Sequence, residues 1–285
     1  MGSPTNTGDG IIMAANAGAD LWHMDTFAAP SGYALKAPGI DYVFLAGYWA
    51  TGLPTKGGFI RIAGDNRRYA DEVWEMEKFG VVAGKWKGVT PNCSIDSHGK
   101  YVSEPYPTPI HIIFDDVATQ NRSLILDTQS GYGWASVVAN YAPDADVSAE
   151  VAKGWVSKAD TISELATAMG RDPAAVGQTV DEWNIGCANG TDAVCGRTSV
   201  LVPIQTPPFY AIELKPMLLN TQGGPVRNTK AQVLDKSGNP IPRLYEAGEM
   251  GDMFSWFYEC CHNVFGCYAF GQIAGKNAAA ETPWS

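Results

Sequence analysis

The 285-residue sequence has little positive charge, little cysteine and no long hydrophobic run. Its 20 lysines and arginines are outnumbered by 30 aspartates and glutamates, for a formal net charge of −10 at pH 7. We therefore expect no nucleic-acid partner and no anionic membrane surface, since both require basic patches. Six cysteines are too few for a disulfide framework in a chain of this length. No apolar run approaches about 18 residues, so the sequence predicts no membrane span, and no secretory signal marks the N-terminus, which leaves localisation open.

Motifs of several common enzyme classes are also missing. Neither a Gly-x-Ser-x-Gly nucleophile turn nor a phosphate-binding loop occurs, so hydrolase and kinase interpretations have no basis. Cys260, Cys261 and His262 are adjacent, whereas paired zinc ligands are usually separated by about two to four residues. We therefore predict no metal site, and a metal enzyme built on these three residues remains an alternative that elemental analysis would test.

The most informative stretch lies near the C-terminus. A predicted strand at Leu244–Ala247 runs into Gly248 and Glu249, and a helix with several glycines follows from about Asn263. In open α/β sheets ligands bind at the carboxyl ends of strands, where an acid can accept hydrogen bonds from sugar or ribityl hydroxyls. The free N–H groups at the start of the helix would favour a negatively charged group. A solvated loop glutamate and tight helix packing would explain the same residues without a ligand.

A second glycine turn, Thr7–Gly10, opens a helix near the N-terminus. Its threonine or Asp9 is the expected N-cap, and capping alone would account for the aspartate. The middle of the chain carries two further helix starts. Thr161 with Glu164 predicts a capping box, and Asp172 before a proline predicts a second N-cap.

In their order and spacing, these pieces resemble the flavoprotein-subunit family that includes fumarate reductases, urocanate reductases and 3-ketosteroid dehydrogenases. The match also includes Gly64–Glu72, Asn220–Gly224 and Phe270–Gly275. The resemblance implies an α/β fold with an α+β cap, in which a partial Rossmann-like FAD-binding domain is interrupted by a fumarate-reductase-like capping domain. The expected FAD-binding domain comprises residues 1–58 and 207–285, and the mainly capping domain comprises residues 59–206.

FAD is the cofactor that the resemblance implies. By position, the residues expected at the cofactor are Gly8, Asp9, Gly248, Glu249, Asn263, Val264 and Phe265. The expected chemistry is hydride transfer between the flavin and a carbon–carbon bond of a small-molecule substrate, with a side chain supplying or removing a proton. The electron donor or acceptor is not specified.

Two departures from the family pattern modify this expectation. The family begins with a strand and a Gly-x-Gly-x-x-Gly turn that hold the FAD pyrophosphate, and nothing here matches them. We therefore expect a truncated chain that binds FAD weakly or not at all. The histidines and arginines that clamp fumarate are also unmatched: Ala29, Pro30, Leu219 and Asn220 stand at the histidine positions, and a dicarboxylate needs charged donors at both ends.

Aromatic residues stand where one clamp arginine is lost. Trp256, Phe257 and Tyr258 predict a flat, weakly charged substrate, such as an aromatic enoate or a ketosteroid-like molecule, and not fumarate. Tyr258 is the predicted proton donor, with a pocket-wall role as the alternative. Tyr210 is the second candidate, and its strand position also suits a core residue. A non-catalytic fragment or binding protein of the same fold is the competing functional interpretation.

Overall fold

The computed structural model of the chain describes residues 6–24, 27–28, 33–35, 44–45, 57–69, 71–72, 80–82, 85–87, 93–95, 101–103, 108–119, 147–216, 220–253 and 262–283. The chain divides into two compact units. The inserted unit is Pro30–Met217, and the terminal unit combines Gly2–Ala29 with Leu218–Ser285.

Short strands and a few helices make up both units. The strands, in chain order, are β1 Leu21–Trp22, β2 Phe27–Ala28, β3 Tyr33–Leu35, β4 Phe44–Leu45, β5 Phe59–Ile62, β6 Gly80–Val82, β7 Lys85–Lys87, β8 Cys93–Ile95, β9 Tyr101–Ser103, β10 Ile110–Asp115, β11 Ser157–Ala159, β12 Phe209–Pro216, β13 Asn220–Thr221, β14 Gly224–Pro225, β15 Gln232–Leu234 and β16 Pro240–Tyr245. The helices are α1 Asp9–Asn16, α2 Asp116–Thr119, α3 Ser148–Ala152, α4 Ile162–Ala168, α5 Pro173–Asn189 and α6 His262–Ala279.

The inserted unit is built on a six-stranded antiparallel sheet. Its strand order is β4-β3-β12-β10-β5, and β11 also pairs with β12. A separate four-stranded antiparallel sheet follows the chain order from β6 to β9. Because β12 and β10 lie in the interior of the large sheet, they carry apolar residues on both faces, and every residue of β10 is buried.

The unit boundaries differ from the predicted domain boundaries at 58/59 and 206/207. Leu35 of β3 lies opposite Leu214 of β12, and β12 pairs along its length with β10. Residues 30–58 and 207–217 therefore belong to the inserted unit, and not to the FAD-binding domain as predicted. Pairing between strands so far apart in sequence leaves no local signal.

Two helices cover the core of the inserted unit. Val176, Val180 and Trp183 of α5 are buried and pack with isoleucines of the central sheet, at the spacing of one face of a helix. Thr161 and Glu164 form the predicted capping box at the start of α4, and the side chain of the residue before Pro173 accepts the first N–H groups of α5.

A buried charge network joins the segment around Glu72 to the segment around Arg197 within the inserted unit. Glu72 accepts hydrogen bonds from Arg68 at 3.0 and 2.8 Å and from Arg197 at 3.4 Å. Arg68 also pairs with Asp192 at 2.9 Å. The two guanidinium groups lie over the ring of Trp183, at 4.5 and 4.7 Å from its centroid. Burial, the largest single effect, acts to raise the pKa of Glu72, but the charges and hydrogen bonds of the surrounding arginines, Arg68 foremost, together hold that pKa below its ordinary value.

The terminal unit is smaller. Ala14 of α1 packs with Ala19 and Val233, and β15 and β16 form an antiparallel hairpin. Helix α1 begins after Gly8, whose φ of 80° places it in the left-handed region, and no side chain caps the helix. The predicted cap by Thr7 or Asp9 is therefore wrong, because the threonine hydroxyl donates to Asp9 Oδ1 at 2.7 Å and not to the helix backbone. None of the described helices is long and apolar enough to cross a bilayer.

Candidate functional site

A cavity of about 490 Å³ lies at the N-terminal end of α1 in the terminal unit. Its wall includes Gly8 and Asp9 from the N-terminal part of the chain and Glu249 from the C-terminal part. The remaining residues that line it are Asn6, Thr7, Gly10, Ile11, Thr221, Gly223 and Met250. Two acids that are distant in sequence thus share one cavity, as the cofactor assignment requires.

Glu249 is held by two amide side chains. Asn263 Nδ2 at the start of α6 donates to Glu249 Oε1, and Gln222 Nε2 donates to the same oxygen at 3.4 Å. These contacts fix the carboxylate at the cavity wall and place the first turn of α6 beside it. Asn263 Oδ1 is buried and has no hydrogen-bond partner among the described residues, so an acceptor beside Glu249 is available to a donor from outside that part of the chain.

The turn that carries Glu249 depends on glycine. Gly248 has a φ of 117°, which side-chain-bearing residues rarely adopt, and a β-carbon there would lie 3.1 Å from Cys267 Sγ. A β-carbon at Gly266 of α6 would lie 3.4 Å from the carbonyl oxygen of Gly248. Tight packing of the α6 glycines therefore occurs at Gly266, where the helix meets this turn, whereas β-carbons on Gly271 and Gly275 would have no described neighbour within 4 Å.

The N-terminal end of α1 forms the facing wall of the cavity. Its first backbone N–H groups lack a side-chain cap, and such groups favour an anionic ligand. A β-carbon on Gly8 would have no described neighbour within 4 Å, whereas one on Gly10 would lie 2.7 Å from Met250 Sδ. The start of α1 therefore packs against the Glu249 turn through the contact of Gly10 with Met250, while the space around Gly8 stays uncrowded.

Val264, Phe265 and Tyr210 are not among the residues that line this cavity. Val264 and Phe265, in the first turn of α6, are 59% and 61% exposed. Tyr210 lies on β12 of the inserted unit, is 3% exposed, and donates its hydroxyl proton to Asp116 Oδ1 at 3.0 Å. Tyr258 falls outside the described residues, so its role stays a prediction.

The sequence-based site prediction did not include Gln222 or Arg227. The segment Asn220–Gly224 contributed to the family resemblance, but no local pattern assigned a ligand-holding role to its glutamine. Arg227 follows that segment and contacts the Glu249 turn through its guanidinium group. Only the fold brings these residues to the Glu249 turn, because they lie on a different segment of the chain.

A second cavity, of about 340 Å³, lies in the inserted unit and is centred on Arg171. This guanidinium donates to the carbonyl oxygens of Ala63 and Gly64 at 3.1 and 3.0 Å, and it lies 3.0 Å from His111 Nδ1. Burial, together with the charge of Arg171, lowers the pKa of His111 to about 4. Arg171 thus joins the turn at Ala63 and Gly64 to His111 of β10.

Metal-binding residues are not gathered in the described part of the chain. No group of three or more histidine, cysteine, aspartate or glutamate side chains there is arranged to hold a metal ion. Cys260 and Cys261 fall outside the described residues, as does the side chain of His262. The prediction that these residues bind no metal therefore remains a prediction.

A family model described as FAD binding domain matches residues 1–264. The match extends over most of the 285 residues. The chain belongs to the FAD binding domain family. FAD, which the resemblance implied, is the cofactor of this family, and the recognition of a fumarate-reductase-type flavoprotein is confirmed.

Two curated relatives show how much of a longer protein the match covers. A digoxin reductase of Eggerthella lenta is 40% identical over 129 residues, which make up 44% of this chain and 23% of that protein. A probable fumarate reductase of Shewanella frigidimarina is 25% identical over 276 residues, or 96% of this chain and 38% of that protein. The chain thus spans less than half the length of either relative.

A solved structure supports the fold. The crystal structure of 3-ketosteroid delta1-dehydrogenase from Sterolibacterium denitrificans is similar with a TM-score of 0.66 at 22% identity, over 98% of this chain and 48% of that chain. At this identity the likeness shows the fold alone. With the family match, it confirms the predicted α/β fold of an FAD-binding domain of the fumarate reductase and ketosteroid dehydrogenase type.

The residues around the first cavity fit a flavin nucleotide. The carboxylates of Asp9 and Glu249 can accept hydrogen bonds from hydroxyl groups, and the uncapped start of α1 suits a negatively charged group. Asn263 offers a buried acceptor without a partner among the described side chains. Together they supply complementary contacts for a ligand that carries both hydroxyls and phosphates.

Proposed function

We propose that the cavity between α1 and the Glu249 turn is where this chain holds FAD. The observation that carries the proposal is that Asp9 and Glu249, from opposite ends of the sequence, line one cavity. Membership of the FAD binding domain family supports it. In this proposal the two carboxylates accept hydrogen bonds from hydroxyl groups of the cofactor, and the start of α1 faces a negatively charged group.

The chain's own residues orient the ligand. Thr7 Oγ1 donates to Asp9 Oδ1 at 2.7 Å, which limits the rotamers of that carboxylate. Asn263 and Gln222 fix one oxygen of Glu249. Side chains held in this way lose less conformational entropy when a ligand binds, so the site is preorganised.

We further propose that the activity is oxidoreduction at a carbon–carbon bond. When bound, FAD supplies the hydride-accepting or hydride-donating centre. The names of the two curated relatives, a digoxin reductase and a probable fumarate reductase, support a reductase. The substrate proposed is flat and weakly charged, an aromatic enoate or a ketosteroid-like molecule, because the charged clamp for fumarate is missing from the sequence.

A proton must accompany the hydride, and the chain offers two proposed donors. Tyr258 remains the first proposal on the grounds of its sequence position. Tyr210 is the second, although its hydroxyl already donates to Asp116. Proton donation by Tyr210 to a substrate would first require that hydrogen bond to break.

Titration of the chain with FAD, followed by quenching of flavin fluorescence, tests the proposed cofactor site. Glu249→Gln removes one of the two carboxylate charges at the cavity and should weaken binding roughly tenfold, as expected for the loss of one charge-assisted hydrogen bond. Glu281→Gln is the matched control, because Glu281 also lies in the terminal unit and accepts a hydrogen bond from Tyr245 but does not line the cavity. Equal FAD affinity in the wild type and Glu249→Gln would reject this site.

The proposed reaction is tested separately, with reduced FAD and candidate acceptors under anaerobic conditions. We expect an aromatic enoate or a 3-ketosteroid enone to reoxidise the cofactor when the chain is present, and fumarate to leave it reduced. Tyr258→Phe should slow the reoxidation, with Tyr268→Phe as a control tyrosine that is 79% exposed. Reoxidation by fumarate alone would contradict the proposed substrate class.

A further inference from the structure

Three charged side chains are buried together behind the turn that carries Glu249. Arg227 and Glu246 form an ion pair whose side chains are 2% and 4% exposed, and Asp252 is 1% exposed. Both carboxylate oxygens of Asp252 are buried and lack a hydrogen-bond partner within the described residues. Burial raises the pKa of Glu246 to about 6, against the opposing effect of Arg227 and with a further contribution from Asp252.

Arg227 makes further contacts that reach the turn itself. Its Nη1 donates to the carbonyl oxygen of Met250 at 3.3 Å, and its Nη2 donates to the carbonyl oxygen of Gly248 at 3.5 Å. These two residues immediately precede and follow Glu249. The planar guanidinium group therefore contacts the backbone on both sides of Glu249, the residue proposed to bind FAD.

The guanidinium group also joins the turn to the last helix. It lies 4.3 Å from the ring centroid of Phe270 on α6, the helix that also carries Asn263, which donates to Glu249. The buried guanidinium group of Arg227 thus contacts the turn around Glu249, the carboxylate of Glu246, and helix α6. The same helix carries Asn263, which donates to Glu249.

Stability does not account for such a cluster. Removing two charges from water carries a large desolvation penalty, and apolar side chains of similar volume often give an equally stable or more stable fold. The carboxyl groups of Glu246 and Asp252 nevertheless attract the guanidinium group of Arg227 to its position behind the Glu249 turn. A geometric role for the guanidinium group, in fixing the two carbonyl groups that flank Glu249, explains what stability does not.

We infer that Arg227 is a positioning residue for the cofactor site: it holds the Gly248–Met250 turn from behind, so that Glu249 faces the cavity in the orientation that binds FAD. This inference rests on the proposed function of the cavity. It predicts that the shape of the Arg227 side chain, and not only its charge, sets the affinity of the chain for FAD.

The test measures FAD affinity and thermal unfolding in parallel for variants of the full chain. Arg227→Lys keeps the positive charge beside Glu246 but cannot span both carbonyl groups, because a lysine has a single ammonium group. We expect FAD to bind roughly tenfold more weakly, since a charged hydrogen bond to each flanking residue is lost or displaced. The unfolding midpoint should change little, because the ion pair survives.

A double variant separates positioning from folding. Arg227→Met alone leaves Glu246 buried without its partner and will destabilise the chain, whereas Arg227→Met with Glu246→Gln removes both charges and should restore most of the unfolding midpoint. FAD affinity should remain roughly tenfold reduced in this double variant, because the donors to the turn are still missing. Arg243→Met is the matched control, since that arginine donates to the carbonyl oxygen of Thr282 and does not line the cavity.

The outcomes distinguish this inference from the proposed function. Wild-type affinity for FAD in both Arg227→Lys and the double variant would overturn the positioning role alone. Failure of the wild-type chain to bind FAD would overturn the proposed function and the positioning role with it. Weakened FAD binding in both variants, with an unchanged Arg243→Met control, would support both.

Discussion

Replacing His111 with glutamine should reduce the pH dependence of stability in the mildly acidic range. His111 is 8% exposed on β10, and Arg171 Nη2 lies 3.0 Å from its Nδ1. Protonation of that nitrogen would break the contact and place a second positive charge beside the guanidinium group. Burial and Arg171 accordingly lower the pKa of His111 to about 4.

The magnitude follows from the difference between the folded and unfolded states. In the unfolded chain a histidine titrates near its ordinary pKa of about 6.5. Between this value and about 4 the unfolded state binds more protons, so the free energy of unfolding falls as the pH falls. For His111 the loss is about 2 kcal/mol at about pH 5 relative to about pH 8. Above the unfolded pKa both states hold a neutral ring and the contribution vanishes.

Urea unfolding of the wild type and His111→Gln across this pH range measures the effect. The wild type should lose about 2 kcal/mol more stability than the variant between about pH 8 and pH 5. Glu246 acts in the opposite sense, because its raised pKa of about 6 makes the folded state bind the proton more tightly, but it is present in both proteins and cancels in the comparison. Equal pH dependence of the two proteins would refute the reasoning.

Two other predictions concern the scaffold of the inserted unit. Glu72→Gln leaves the buried guanidinium groups of Arg68 and Arg197 without their shared counter-charge, and the free energy of unfolding should fall by about 3–5 kcal/mol in urea denaturation; a loss below about 1 kcal/mol would contradict the role of the network. Thr161→Ala removes the hydroxyl that accepts the N–H of Glu164 at 3.1 Å, and should lower the unfolding free energy by about 1 kcal/mol. Ser163→Ala, on the same helix, is the control, and equal stability of the two variants would show that the cap contributes nothing.

Local signals in the sequence predicted local structure well. The capping box at Thr161 and the aspartate before Pro173 depend on residues within one helical turn, so their pattern carries its own geometry. The start of α1 was different, because Gly8 takes the N-cap position in a left-handed conformation. Sequence preference favoured an oxygen-bearing cap there, and the structure leaves the N–H groups open toward a cavity.

Long-range pairing is what the sequence could not predict. A separate, local difference is the last strand, which was expected at Leu244–Ala247 and is β16, a hairpin partner of β15 that ends at Tyr245 after a left-handed residue at Arg243. The observed unit boundaries differ from the predicted domain boundaries because β12 pairs with β10 and β3, which lie far from it in sequence. A composition or turn pattern contains no information on which strands meet.

The candidate site was predictable only in part. The placement of Asp9 and Glu249 at one ligand came from the family resemblance, and the shared cavity is in keeping with it. The supporting side chains Gln222 and Arg227 were not predicted, because each acts through a contact across the fold. Residues expected to bind a ligand lie in sequence motifs that recur within a family. Residues that hold those side chains in place are identified only by their contacts in the folded structure.

Amide hydrogen exchange of the chain with and without FAD tests the central claim most directly. We expect slower exchange on FAD binding in two separate segments, residues 6–11 at the start of α1 and residues 249–250, which line the same cavity. Peptides from α4 and α5 serve as internal references, because they belong to the inserted unit. Binding of FAD with no change in exchange at either cavity segment would contradict the claim that the Asp9 and Glu249 turns hold one cofactor.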